Sequence, residues 1–581
     1  MYDEIKEKTV ILPPFKHFIM SVGEIPSSYL ETMTYYEMLV WFTNYLGKTV
    51  IPAINENGEA VTELQNLFVE LQTYVNNYFD NLDVQEEIDH KLDEMVEDGT
   101  FQTLVNTYAQ PILANLTEDV NTALTTVNTL ASEIETPIQK LRKEYYNGYS
   151  NFQLPVSLNS YFDKLHLYRS NDKQNFKYNL TKDDLPFETT VTKYVDNING
   201  NNSNDGSTKA LAYKTLTYAI SQMAADTTFI VCNKIYYRNE LPDTGRVINY
   251  SMNVIPEDGH CIFGIHDKLT WEQDSEYSNV YSASRSGVVQ VVDIRGNENG
   301  AYALLENKET LQECAATKDT YYFDGARVYV NLGGEIVSNE KVLCELGVSN
   351  PPWKIESSST ELKLYFENVD FLCGNVGTFN ILGNATYSPE LRLYNCKILF
   401  NTNTSTDGLS LRGAKGLFMN TTIDRCRKDG FNYHAASGVK SYGIEINCIG
   451  SNNGRNSSDT YNNGTTAHDG CQVIRINGNY FGNKGGNVAD VHDDTISINI
   501  NCNAYDSVAN SNNGSDTDFV AQQSGAKLYL YNCFSKGSRS KYNLYATADN
   551  AYVYYDNCLF DTQQGEGVIE LDDWQNICFM I

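Results

Sequence analysis

The chain has 581 residues, with 74 Asp and Glu against 43 Lys and Arg, for a formal net charge of −31 at pH 7. That length exceeds one ordinary domain, and that charge excludes nucleic acid and anionic membrane surfaces as partners, because both demand basic patches. Thirteen cysteines, an odd number with no CxxC pair, point to buried free thiols made in a reducing cytoplasm rather than to disulfides.

The opening residues MYDEIKEKTVILPPFKHF lack a basic segment followed by an apolar core, so no signal peptide is expected. No apolar run reaches membrane-spanning length, so no membrane insertion is expected. Residues 1–80 read as a helical domain. Ser27 and Ser28 can cap a helix in which Tyr29, Met33, Tyr36 and Val40 share one face, and a second helix is expected over about Ala60–Phe79. Residues 81–145 read as a helical stalk. Asp83 and Glu86 form a capping-box-like start, and Leu113, Val120, Val127, Ile134 and Leu141 then lie seven apart. Leu116, Ala123 and Leu130 fill the alternate seam positions, which predicts a coiled coil that ends or kinks at Pro137.

Residues 146–190, rich in Tyr, Asn, Asp and Lys without a sustained period, read as a connecting neck. From Tyr194 to Ile220 the pattern predicts a strand, a Gly/Asn/Asp-rich turn and a short helix that caps a β-helix end. The stretch Asn199 to Asp205 has calcium-ligand residue types, with turn formation as the other reading. Residues 191–350 then read as an entrance cap and early coils carrying insertions.

Residues 351–581 repeat. The landmarks Asn368, Asn395, Asn420, Asn447, Asn477, Asn501, Asn532 and Asn557 each follow an apolar strand, at spacings of 27, 25, 27, 30, 24, 31 and 25. A near-constant period of this size marks a solenoid whose units must stack to bury their apolar faces. Cys396, Cys448, Cys502, Cys533 and Cys558 each follow a landmark and are expected to form an inward column. The fold class expected is mainly β, a right-handed parallel β-helix with an N-terminal α-helical anchor and coiled coil.

Two stretches resemble a known family. GEIPSSYLETMTYYEMLVWFTNYLGKTVIPAINENGEAVTELQ, with LDVQEEIDHKLDEM after it, resembles the virion-attachment region of tail fibres and tailspikes (appendage proteins) from bacteriophages of Gram-positive bacteria. YVDNINGNNSNDGSTKALAYKTLTYAI resembles the opening motif of pectate-lyase-like β-helices in tailspikes. The two cover about 100 and some 30 residues; the later coils match by repeat pattern alone. The resemblance implies a homotrimer made in the host cytoplasm and carried on the virion. Its N-terminus would be fixed to phage tail or collar proteins, and its β-helix would bind, and often cleave, a host cell-wall glycan or teichoic acid. No C-terminal self-cleaved chaperone segment of the kind found in some members is visible.

Chemistry is expected between the landmarks. Asp407-Gly408, Asp429-Gly430, Asp469-Gly470 and Asp490-Val491 fall one per coil in four consecutive coils. If they lay at one height, adjacent carboxylates would sit about 4.8 Å apart. That spacing is near the retaining-glycosidase separation of about 5–5.5 Å, and alternate coils would give the inverting one. Asp-Gly is also a favoured turn pair, which gives the same ladder without chemistry. Three of the eight histidines, His434, His468 and His492, lie in this stretch. The catalytic residues expected are therefore Asp429, Asp469 and Asp490, assisted by His434, His468 and His492. Asp407, Arg412, Asn432 and Asp493 are expected to bind substrate. Arg412 and His434 each lie five residues after their aspartate and should be neighbours on adjacent coils. The 450–467 insertion should overhang the same surface. No organic cofactor is expected; if DVHDD is a strand, Asp490, His492 and Asp494 share one face and can hold a divalent cation. The 41 tyrosines and the abundance of Asn, Gly, Ser and Thr suit a carbohydrate-facing surface and equally suit polar solenoid turns. Tyr529, Tyr531, Tyr552, Tyr554 and Tyr555 are either exposed stacking steps for sugars or residues that pack against neighbouring subunits. The competing functions are a non-enzymatic adhesin of the same fold and, third, a free polysaccharide lyase. A lyase would need a basic groove, for which only Arg412, Arg425, Arg427 and Lys428 cluster.

Overall fold

The computed structural model describes residues 148–571 except 243–247, 297–300, 348–352, 357–360, 375–377, 403–406, 455–461, 509–516 and 539–541, together with Gly99, Thr103 and Thr107. The chain divides into two compact units, Met1–Gln139 and Lys140–Ile581, and the second holds nearly all of the described residues. The expected helical domain over 1–80 and, those three residues apart, the coiled-coil stalk over 81–145 lie outside them.

The second unit is a parallel β-solenoid of three sheets with twelve, nine and nine strands. One coil shows the plan. Tyr442–Ile446 lies in the first sheet, Ile449–Ser451 in the second and Thr465–Ala467 in the third, after which Gln472–Ile476 returns to the first. Each strand pairs in parallel with its counterpart one coil on: Tyr442 with Gln472, Ile449 with Asn479, and Thr465 with Val488.

The asparagine repeat is the corner between the first and second sheets. All eight landmarks have φ between 52° and 54°, a left-handed conformation that Asn tolerates better than other side chains with a Cβ. Their amides also stack. Asn395 donates to Asn368 at 2.7 Å, Asn447 to Asn420 at 3.0 Å, Asn477 to Asn447 at 3.0 Å and Asn501 to Asn477 at 3.1 Å. The next residue turns inward. Cys396, Cys448, Cys502 and Cys533 are buried, each Sγ lying 3.3–3.4 Å from a carbonyl oxygen of the preceding coil. All twelve described cysteines are free.

Two residues before each landmark, the side chain also points into the solenoid. Phe366, Leu393, Phe418 and Leu530 fill that column with apolar groups, but Glu445, Arg475 and Asn499 occupy it in three consecutive coils. Arg475, wholly buried, donates to Asp490 through both terminal nitrogens at 3.1 and 3.2 Å and lies 3.5 Å from Glu445. Tyr433, Thr465 and Tyr480 hydroxyls donate to Glu445 at 2.9, 2.7 and 2.7 Å. The charges are thus both paired and hydrogen-bonded, as burial requires.

The segment expected to be a neck is a strap. Residues 149–187 lie along the outer face of the first sheet, where Tyr161, Phe162, Leu165, Leu167, Leu180, Leu185 and Phe187 cover Leu417, Met419, Ile444, Ile446, Ile474, Ile476, Ile498 and Ile500. It is pinned along its length: Lys164 to Glu390 at 3.1 Å, the Asn159 N–H to Gln472 at 2.9 Å, and Arg169 to Asp556 at 2.6 Å. Tyr529 and Tyr531, buried on this face, are therefore not stacking steps for sugars; Phe152 and Phe176 pack against Tyr531.

The opening motif begins with Val191–Val195 as the first strand of the first sheet, followed by the helix Leu216–Ser221. Thr215 caps that helix, and Leu216, Ala219 and Ile220 enter the core. The Asn/Asp-rich stretch forms hydrogen-bonded turns: Asp205 accepts from the Ser207 N–H at 2.9 Å, and Asn201 from Ser203. Between Cys261–Gly264 in the second sheet and Trp353–Glu356 in the third, an insertion builds a five-stranded and a three-stranded sheet with their own apolar core.

Arg475→Met leaves Glu445 and Asp490 buried without their cation. It is expected to lose about 3–5 kcal/mol of stability, read as earlier thermal or denaturant unfolding; a wild-type unfolding curve would refute the pairing. Burial also pushes the carboxyls of Glu345 and Asp518 up to about 7. Both folded values lie above the unfolded range, so their stabilisation is full below about pH 4 and is lost as pH rises through about 7. Glu345→Gln should therefore gain in melting temperature relative to wild type between pH 5 and 8.

Candidate functional site

The site lies on the outer face of the third sheet. In the strands Leu409–Arg412, Phe431–His434 and Thr465–Ala467, Leu409, Leu411, Phe431, Tyr433 and Ala467 enter the core. Strand alternation therefore sends Ser410, Arg412, Asn432, His434 and Thr466 outward. Arg412 pairs in register with His434, as their spacing from the aspartates predicts. His468 follows Ala467, the register partner of Tyr433, and its N–H donates to the Tyr433 carbonyl at 2.9 Å. Arg412, His434 and His468 thus stack one per coil, and the two imidazoles lie face to face with centroids 4.3 Å apart and planes 8° apart.

Asp469 organises this surface. Its Oδ2 accepts from His434 Nδ1 at 3.0 Å and from the Ala435 N–H at 3.3 Å, while its Oδ1 faces His492 Nε2 across 3.7 Å. Burial raises the Asp469 carboxyl, but the His434 hydrogen bond and its neighbours outweigh that and hold it below the usual range. An ionised carboxylate only accepts, so the proton of this bond belongs to His434 Nδ1. Burial, opposed by that bond, holds the His434 imidazole below its ordinary value. His434 is thus neutral at neutral pH, with its Nε2 lone pair available. His468, flanked by His434 and by His492 at 6.0 Å, is pushed down to about 3 by burial, with repulsion from His434 second.

Gly470, at φ +74°, completes the turn after Asp469, and a Cβ there would lie 2.7 Å from Lys440 Nζ, so the amine caps this corner. Arg412 and Lys440 are exposed and Lys428 is half-buried. None of the three has an ion-pair partner within 4 Å among the described residues, whereas Arg425 is held by Asp424 at 2.5 Å.

The four aspartates do not form one ladder. Asp407 and Asp429 precede their third-sheet strands by two residues, whereas Asp469 follows its strand by two and Asp490 lies within one. Asp-Gly recurs because it suits turns at both ends of the strand, not because one position repeats. Asp429 is buried and accepts from Asn432 Nδ2 at 3.0 Å and from the Asn463 N–H at 2.6 Å, tying two coils together. Asp407 is buried with Oδ1 unpartnered among the described residues, and burial raises its carboxyl, with Lys428 opposing. Asn432, buried, serves Asp429 rather than the open surface. Asp490 is the largest correction: it is fully buried inside the solenoid and bound to Arg475, so it reaches no substrate.

The expected metal set fails for the same reason. The strand ends at Val491, and His492, Asp493 and Asp494 have φ of 38°, 53° and 59°, so two-residue alternation stops before them. Asp494 turns toward Lys527 at 3.8 Å. The donor atoms that do converge, within 4.8 Å of one another, are on Asp469, His492 and Asp493.

Lys440 and the Glu445–Arg475–Asp490 network were not foreseen. The network had a signal: opposite charges at the position two before consecutive landmarks, where four of the other coils carry Phe or Leu. Lys440 had none, because it lies in an irregular turn.

No protein-family model and no curated protein matches this chain. Solved structures do. It is similar to XylC in complex with xylose (TM-score 0.40, 10% identity, 64% of this chain and 70% of that one). It is similar to the pectate lyase Pel9A (0.32, 15%, 65% and 80%). It is also similar to the Siphovirus 9NA tailspike receptor-binding domain (0.22, 11%, 62% and 75%). Such identities concern the shape of the fold and not its chemistry. Among the described residues, no helix is long and apolar enough to cross a membrane.

The protonation pattern is open to NMR. His468 ring signals should stay constant from pH 8 to 5, and His434 should titrate below about 6.5. Titration of His468 near 6.5 would overturn the assignment of the stacked pair.

Proposed function

We propose that this chain is a phage tailspike or tail-fibre protein that binds and hydrolyses a host cell-surface polysaccharide or teichoic acid on the outer face of its third sheet. The observation that carries the reading is the pair His434 and His492 facing one ionised aspartate, Asp469, with His468 stacked on His434, beside cations that have no ion-pair partner within 4 Å among the described residues, in a chain of net charge −31. The virion-attachment and opening motifs of the sequence support the phage setting. They imply a homotrimer attached to the tail or collar through residues 1–80.

In this scheme the polymer lies across the coils. Arg412, Lys428 and Lys440 take its acidic or hydroxyl groups as charge-assisted partners. Asp469 holds His434 in one tautomer through Nδ1–H, and His434 Nε2 takes the proton of the attacking water; the water oxygen bonds to the linkage atom, the bond to the leaving oxygen breaks, and the imidazolium returns the proton to that oxygen. Asp407, whose burial favours the protonated form, borders the other end of the strands. Asp429 and Asp490 act as interior anchors. Of the four basic residues that cluster in sequence, Arg425 is paired with Asp424 and Arg427 donates to the Thr402 carbonyl at 3.3 Å, which leaves Arg412 and Lys428 to meet the polymer and ranks a lyase below a hydrolase.

Incubation with purified cell-wall polymers should shorten one of them. His434→Gln should lower the rate about 10²–10⁴-fold while binding persists. Binding with no change in polymer length would make the protein an adhesin. The native mass by light scattering should be that of three chains, and a monomer would remove the trimer.

A further inference from the structure

We infer that Asp469, His492 and Asp493 form a binding site for one divalent transition-metal ion of the Zn²⁺ or Mn²⁺ class. The inference goes beyond the polymer-binding reading and does not depend on it.

The site is made by two turns on adjacent coils. Asp469 follows the strand Thr465–Ala467, and His492 and Asp493 follow the next strand of the same sheet, Val488–Val491. One donor atom from each residue lies within 4.8 Å of the other two. The two oxygens of Asp469 are divided between tasks. Oδ2 is taken by His434 Nδ1–H and the Ala435 N–H, which fixes the carboxylate and leaves Oδ1 toward His492 Nε2 at 3.7 Å, too far for a hydrogen bond. Asp493 Oδ2 lies 2.8 Å from His492 Nδ1, yet out of line, so this screened nitrogen has no hydrogen-bond partner among the described residues. Two carboxylates thus crowd one imidazole whose nitrogens neither of them satisfies.

A cation at this junction would take one imidazole nitrogen of His492 and one oxygen from each carboxylate. One imidazole nitrogen and two carboxylate oxygens suit Zn²⁺ or Mn²⁺, while an all-oxygen shell suits Ca²⁺ or Mg²⁺. Three protein ligands leave positions for water, as in open metal sites. The His434 bond to the non-ligating oxygen is the kind of outer contact that orients metal ligands. Half-exposed Asp469 and His492 and exposed Asp493 leave the junction accessible from solvent.

The test is metal content and affinity of the untagged full-length protein, independent of any polymer. After dialysis against Zn²⁺ or Mn²⁺ and then metal-free buffer, about one ion per chain should remain, with Ca²⁺ held at least 10-fold more weakly. His492→Ala and Asp469→Asn should each abolish this ion, and Asp494→Asn should not. Mn²⁺ bound to the wild type should broaden His492 and His434 NMR signals first. No retained ion, or an ion unaffected by His492→Ala in a protein of native circular dichroism, would overturn the proposal. Polymer cleavage that survives metal removal would leave the hydrolase reading intact and concern this site alone.

Discussion

The corner asparagine is the constraint on which the solenoid depends. A coil closes only if the chain turns sharply at the same height each time, and here that turn is a single residue held near φ 53°. Asn accepts this conformation and offers a side-chain amide that bonds the amide one coil away. The same residue thus sets the bend and the register. With register fixed, each position relative to the asparagine becomes a column through the stack, and everything else in the unit is a choice of what fills each column.

Most columns carry one kind of side chain, and the exceptions cluster. The inward column two residues before the corner is apolar except over three coils, where Glu445, Arg475 and Asn499 replace Phe or Leu. The first two of those coils carry His468, Asp469 and His492 on the outside. Arg475 links them from within by bonding Asp490, which sits on the third-sheet strand immediately before His492. A buried ion pair gives less stability than a good apolar core would. Its effect here is to tie the first sheet to the strand whose end presents His492 and Asp493.

The repeat was legible because its signal is local: strand, Asn, small residue. The Arg412–His434 neighbourhood was legible for the same reason, since each is counted from the aspartate before its own strand. Height along the coil was not legible for the aspartates. Asp-Gly marks a turn chemistry and not a place, so Asp429 before a strand and Asp469 after one look alike in sequence. The strap was also missed, though a hint existed. First-sheet strands such as IEI, IRI and INI put two Ile side chains on the outward face, and a parallel sheet with an apolar outer face is covered there. What the sequence withheld was the identity of the cover, because residues 149–187 carry no period of their own.

The division of the three faces explains why the site lies where it does. The first face is closed by the strap. The second is occupied over its early coils by the inserted subdomain, whose Val292, Ile294, Tyr302 and Leu343 pack on Ile262, Leu372, Leu399 and Phe400. The third face keeps its outward side chains for other uses, and it is there that Arg412, Lys428 and Lys440 stand with no ion-pair partner within 4 Å among the described residues. Like charges avoid one another unless something offsets their repulsion, so three such cations beside three histidines make a local positive field in an otherwise negative surface. The neutrality of His434 and His468 limits that field to the cations themselves. On the proposed reading, an acidic or hydroxyl-rich chain at this face would meet cations and a neutral imidazole, so that holding the chain and accepting a proton fall to different groups.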